Sequence, residues 1–67
     1  MKVEQVYIFK KHWEITPHHE FIVAQSRSDA EVVVHKLSGN YELMAVVARE
    51  VFTQNEAEYR RRYRSRS

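Results

Sequence analysis

The chain has 67 residues, 43% of them hydrophobic and 30% charged, with one glycine, one proline, no cysteine and a formal net charge of +2. A chain this short makes one small core that buries only about 60% of its unfolded surface. The absence of cysteine excludes disulfides, thiolate metal sites and cysteine nucleophiles together. No apolar run reaches the ~18 residues of a membrane helix, and no signal-peptide apolar segment follows Met1, so a soluble protein of a reducing, cytoplasmic compartment is expected.

Residues 3–15 read as a strand. Val3, Tyr7, Phe9, Trp13 and Ile15 are apolar on the odd positions, whereas Val6 and Ile8 give way to Lys10, His12 and Glu14 on the even ones. Thr16-Pro17-His18-His19 is the strong turn signal of this half, because proline fixes φ and cannot donate to a ladder. Phe21-Ile22-Val23-Ala24 follows directly and predicts the second arm of a hairpin.

Two overlapping capping-box spacings come next, Ser26-x-x-Asp29 and Ser28-x-x-Glu31. Ala30, Val33, Val34 and Leu37 then fall at i, i+3, i+4 and i+7, a helical stripe. Lys36 sits in the last turn and Gly39-Asn40 supplies a left-handed stop, which predicts a helix over about 28–38. Three successive valines are poor helix formers, so packing must hold it.

Residues 41–52 fit two patterns. As a strand, Leu43, Ala45, Val47 and Val51 share a face; as a helix, Leu43, Val46, Val47 and Val51 align. A strand is expected, because a two-stranded hairpin beside one helix is hard to stabilise. Thr53-x-x-Glu56 is a third capping box, and Glu56 with Arg60 and Glu58 with Arg62 are i,i+4 pairs, so a last helix runs from about 54 to 63. The expected class is α+β: a compact β-β-α-β domain with an antiparallel sheet over residues 1–53, followed by a helical or flexible arginine-rich tail over 54–67.

That tail carries the charge. Residues 1–59 hold six Lys/Arg against nine Asp/Glu, a net −3, while Arg60, Arg61, Arg62, Arg64 and Arg66 give the last eight residues +5. Such asymmetry marks a segment that meets a polyanion or an acidic protein surface. Arginine forks bind phosphate bidentately, and Tyr59 and Tyr63, four apart, could stack on bases. Tyr59, Tyr63 and the five arginines, with Arg49 nearby, are therefore the candidate partner-binding residues. Nucleic acid, an acidic protein and a merely solubilising end all remain open.

The stretch Phe21-Ile22-Val23-Ala24-Gln25-Ser26-Arg27-Ser28-Asp29-Ala30, a strand running into Ala-x-Ser-x-x-acid-Ala, leads to a short helix, a glycine turn and Tyr41-Glu42-Leu43. Over roughly residues 6–52 this layout resembles the small inhibitors of bacterial RNA polymerase made by T-odd bacteriophages. The resemblance implies a β-β-α-β host-takeover protein acting in the bacterial cytoplasm. It carries over no functional residue, since Ala45 and Val47 stand where those inhibitors have contact arginines on the last strand.

Other chemistry has little support. His12, His18, His19 and Glu20 cluster in sequence, but neighbours on extended chain point apart and no His-x-x-x-His spacing occurs. No glycine-rich phosphate loop is present, and the serines read as caps. No enzyme activity, cofactor or metal is implied. Tyr7, Phe9, Trp13, Phe21, Tyr41 and Phe52 read as core. A second apolar sheet face (Val6, Ile8, Ile22, Met44, Val46, Ala48) exceeds what one helix covers. Either the C-terminal helix or another chain, including a second copy in a homodimer, is expected there. The leading expectation is a protein-binding module that inhibits or redirects a host protein of nucleic-acid metabolism; the alternative is a small nucleic-acid-binding protein.

Overall fold

The computed structural model describes residues 3–12, 18–37 and 39–63. The protein is α+β, with β1 (Gln5–Lys11), β2 (His19–Ala24), α1 (Arg27–His35), β3 (Tyr41–Ala48), α2 (Arg49–Gln54) and α3 (Glu56–Arg62) in chain order. The three strands form one antiparallel sheet in the order β2-β1-β3. β1 takes the centre because it is apolar on both faces: Val6, Tyr7, Ile8 and Phe9 are all buried.

The hairpin of β1 and β2 runs in register from Gln5 opposite Ala24 to Lys10 opposite His19. It is closed by the Lys11 N–H donating to the His18 carbonyl at 2.9 Å. Trp13 and the Thr16-Pro17 part of the expected turn lie outside the described residues.

Ser26, in extended backbone, caps α1: its hydroxyl accepts from the Asp29 N–H at 3.2 Å. Ser28 is inside the helix, and Glu31 pairs instead with Arg27 at 3.1 Å, so the second capping box does not form. Replacing Ser26 with alanine orphans that N–H, and urea unfolding should read a loss of about 1 kcal/mol. Of the expected stripe, Ala30 and Val34 are buried while Val33 and Leu37 remain exposed. The helix ends near Lys36, whose N–H donates to the Val33 carbonyl at 3.1 Å. Gly39 then takes φ +118, a region a side chain rarely adopts.

Two cores result, one on each sheet face. On the first, Tyr7, Phe9, Ile22 and Ala24 pack with Ala30 and Val34 of α1, flanked by Tyr41 and Leu43. On the second, Val6 and Ile8 pack with Phe52, flanked by Phe21, Ala45, Val47, Tyr59 and Tyr63. The C-terminal helices therefore cover the face that α1 cannot reach, but of the residues expected there only Val6 and Ile8 lie on it: Ile22 belongs to the first core, and Met44, Val46 and Ala48 are exposed.

Residues 41–52 correct the expected single strand. β3 ends at Ala48 and the chain enters α2 at Arg49, so Val51 is helical. Leu43, Ala45 and Val47 do not share a face either. Ile8 pairs with Ala45 but Phe9 pairs with Leu43, so Met44 is an inserted bulge residue. One extra residue reverses the alternation. Leu43 thus joins the first core, and Ala45 and Val47 join the second. The Thr53–Glu56 box is also corrected. Thr53 donates its hydroxyl to the Arg49 carbonyl at 2.9 Å, and α3 starts after Asn55 with no side-chain cap.

Candidate functional site

α3 lies on the second sheet face through three side chains. Tyr59 stacks against Phe52 with ring centroids 5.6 Å apart, and Phe52 meets Phe21 at 5.4 Å. Tyr63, just past the helix, sets its ring edge-on to the buried His19 at 5.4 Å. Arg60 lies across this row, its guanidinium 5.3 Å from the Phe21 ring and 5.9 Å from the Phe52 ring. Cation–π contact at such an exposed position contributes about 0.5–1 kcal/mol.

The helix thus divides the candidate residues. Arg60 donates to Glu56 at 2.6 Å and Arg62 to Glu58 at 3.4 Å, both i,i+4 pairs that offset two of the three helical arginine charges. Exposed pairs of this kind contribute only about 0.3–0.5 kcal/mol each, so a strongly acidic partner can compete for either guanidinium. Arg61 is exposed and makes no ion pair among the described residues. Arg64 and Arg66 lie outside the described residues. Arg49 is at the start of α2, where its guanidinium pairs with Glu4 and its N–H donates to the Glu4 carbonyl at 3.3 Å. It ties β3's exit to the start of β1 and stands apart from the α3 group.

The two tyrosines face inward. Both are partly buried in the second core, so neither ring is free to stack on a base while α3 is docked. Sequence reasoning found the α3 ion pairs from their i,i+4 spacing. It missed the Phe21–Phe52 platform under Arg60, because Phe21 lies 31 positions before Phe52 and 39 before Arg60 and meets them only through the tertiary fold.

Two of the four histidines each lie beside one carboxylate. His18 Nε2 lies 2.7 Å from Glu20 Oε1, and His12 Nε2 lies 2.8 Å from Glu42 Oε1. Among the described residues no three metal-ligating side chains come together, and no helix is long and apolar enough to cross a membrane. An open depression is lined by Val3, Glu4, Arg49, Glu50, Thr53 and Gln54, and two of its three charged residues, Glu4 and Arg49, pair with each other.

Comparison of the chain with protein-family models, curated proteins and solved structures finds no match.

Proposed function

We propose that this protein is a non-enzymatic binding module that docks on an acidic protein surface through the arginines of α3 and the chain beyond it. The observation that carries this reading is the docking of α3. Tyr59, Tyr63 and Arg60 hold the helix against the sheet, so Arg61 extends from a fixed support with Arg60 and Arg62 beside it. A charge held this way loses less side-chain and backbone freedom on binding than one on a loose arm. Its field steers encounter with a negative partner. The likeness of residues 6–52 to phage host-takeover proteins makes a bacterial protein of nucleic-acid metabolism, transcription machinery first, the partner to test. Nucleic acid is the weaker reading because Tyr59 and Tyr63 are packed inward, which leaves phosphate contact without base stacking.

The test is capture of partners from a nuclease-treated bacterial lysate, with identification by mass spectrometry. The captured protein is then titrated against the full chain and its Arg61→Glu variant. The variant should bind about ten-fold more weakly at low salt, roughly 1.4 kcal/mol, with the gap narrowing as salt rises. Equal affinity of the two chains, or binding to random duplex or single-stranded nucleic acid with capture lost on nuclease treatment, would reject the protein-docking reading.

A further inference from the structure

Lys10 stands on the same sheet face as α3. Side chains alternate along β1, so Lys10 follows Val6 and Ile8 onto the second face. Its opposite on β2 is the buried His19, and Tyr63 sets its ring edge-on to that imidazole. The C-terminal end of α3 therefore reaches the row of the sheet that Lys10 occupies. Lys10 is partly buried, yet its ammonium makes no ion pair or hydrogen bond among the described residues. Its opposite on β3, Glu42, lies 2.8 Å from His12 instead. Which arginine of α3 faces Lys10 follows from helix geometry. Residues two apart point to opposite flanks, about 200° round the axis. Arg60 lies over Phe21 of β2, an edge strand, so Arg62 is on the flank toward β1. Glu58 holds Arg62 at 3.4 Å, the longest ion pair among the described residues.

We propose that Lys10 and Arg62 together seat a side-chain carboxylate of the partner, on the β1 side of α3. This rests on the reading of the protein as a module that docks on an acidic protein surface, and it adds a residue of the central strand to a contact otherwise made by the helix. The guanidinium offers a planar fork of donors and the ammonium a compact point charge, so one carboxylate can be held through both of its oxygens. Exchanging Glu58 for the partner's carboxylate loses little, because an exposed i,i+4 pair is weak. Lys10 gains a partner where it has none among the described residues. Part of its stem is already packed, so ordering its head group on binding loses less rotamer freedom than for a fully exposed lysine. The surroundings favour protein over nucleic acid. Glu42 lies opposite Lys10, and Glu58 lies beside Arg62. A continuous row of phosphates would meet like charge on both sides of the seat, whereas a single side-chain carboxylate would not.

The probe is a fluorescein-labelled peptide of repeated Glu-Ser-Gly, titrated against the full chain by anisotropy at low salt. Lys10→Gln should weaken binding about five-fold. Lys36→Gln removes the same charge at the exposed end of α1 and should change it by less than about two-fold. A double-mutant cycle separates a shared carboxylate from a general loss of charge. In the Arg62→Gln background Lys10→Gln should lose most of its own effect, because the two side chains hold one group, while Lys36→Gln should simply add. Urea midpoints matching the natural chain show that the variants fold. If Lys10→Gln behaves as Lys36→Gln does, or its effect adds in full to that of Arg62→Gln, the seat is overturned. The docking reading is judged separately, by the response of the captured partner to Arg61→Glu. No binding of the peptide at low salt also overturns the seat. Tighter binding of an oligothymidylate of equal charge, with the same dependence on Lys10, overturns its assignment to a carboxylate.

Discussion

Replacing Ile8 with alanine is expected to remove about 3–4 kcal/mol of folding stability, within the range for emptying a fully buried isoleucine. Ile8 is 0% exposed in the middle of the central strand, between Phe21 on β2 and Ala45 on β3, with Phe52 in the same cluster. The cost has two parts, the lost transfer of the side chain from water and a cavity that flanking strands cannot close. Domains of this size retain roughly 3–10 kcal/mol in total, so the variant should be largely or wholly unfolded at ambient temperature. Val23→Ala, at an exposed position of the neighbouring strand, should change stability by no more than about 0.5 kcal/mol. Urea unfolding followed by circular dichroism separates the two, and equal midpoints would mean that the second face is not a packed core.

Phe52→Ala is expected to cost a comparable amount, about 3–5 kcal/mol, but with a different pattern. Phe52 is the buried side chain of α2 and α3, and its ring touches the Phe21 and Tyr59 rings and lies under Arg60. α3 itself buries no residue fully and has no side-chain cap. Its hold on the sheet therefore depends on contacts that converge on Phe52. Hydrogen exchange under conditions where the variant remains folded should show faster exchange through Glu56–Arg62 than through β1. Protection of α3 matching the natural chain would show instead that Tyr63 and His19 suffice to dock it. Because Arg61 owes its fixed setting to this docking, the variant should also lose partner affinity beyond what its folded fraction explains.

The parts legible in the sequence are those set by neighbours within about four residues. Ser26 ahead of Asp29 gives a cap because the hydroxyl and the N–H it receives are three positions apart in any helix start. The Glu56–Arg60 and Glu58–Arg62 pairs follow from the same local geometry. Apolar residues on the odd positions Val3, Tyr7 and Phe9, with Val6 and Ile8 between them, mark a strand with two faces to cover, and all of Val6–Phe9 are buried. Residues 41–52 were ambiguous because they contain a strand and the opening of a helix in succession. The boundary falls at Ala48–Arg49, where β3 reaches the start of β1 and Arg49 meets Glu4, 45 positions earlier in the chain. No local pattern contains that partner.

The same distinction governs the candidate site. The sequence by itself determined an α+β chain with an acidic body, a basic end and a second apolar face needing cover. Charge follows from residue type alone and the Ser26 cap from short spacing, whereas the exposure of Val33 and Leu37 and the failure of the Ser28 and Thr53 boxes do not. Tertiary structure decided which way the C-terminal residues turn: Tyr59 and Tyr63 inward against Phe52 and His19, Arg60 over the Phe21 and Phe52 rings, and Arg61 exposed. It also decided the bulge at Met44, which sends Leu43 to one core and Ala45 to the other. Both outcomes depend on where the strands register against each other, and register is set by the fit of whole faces across the sheet.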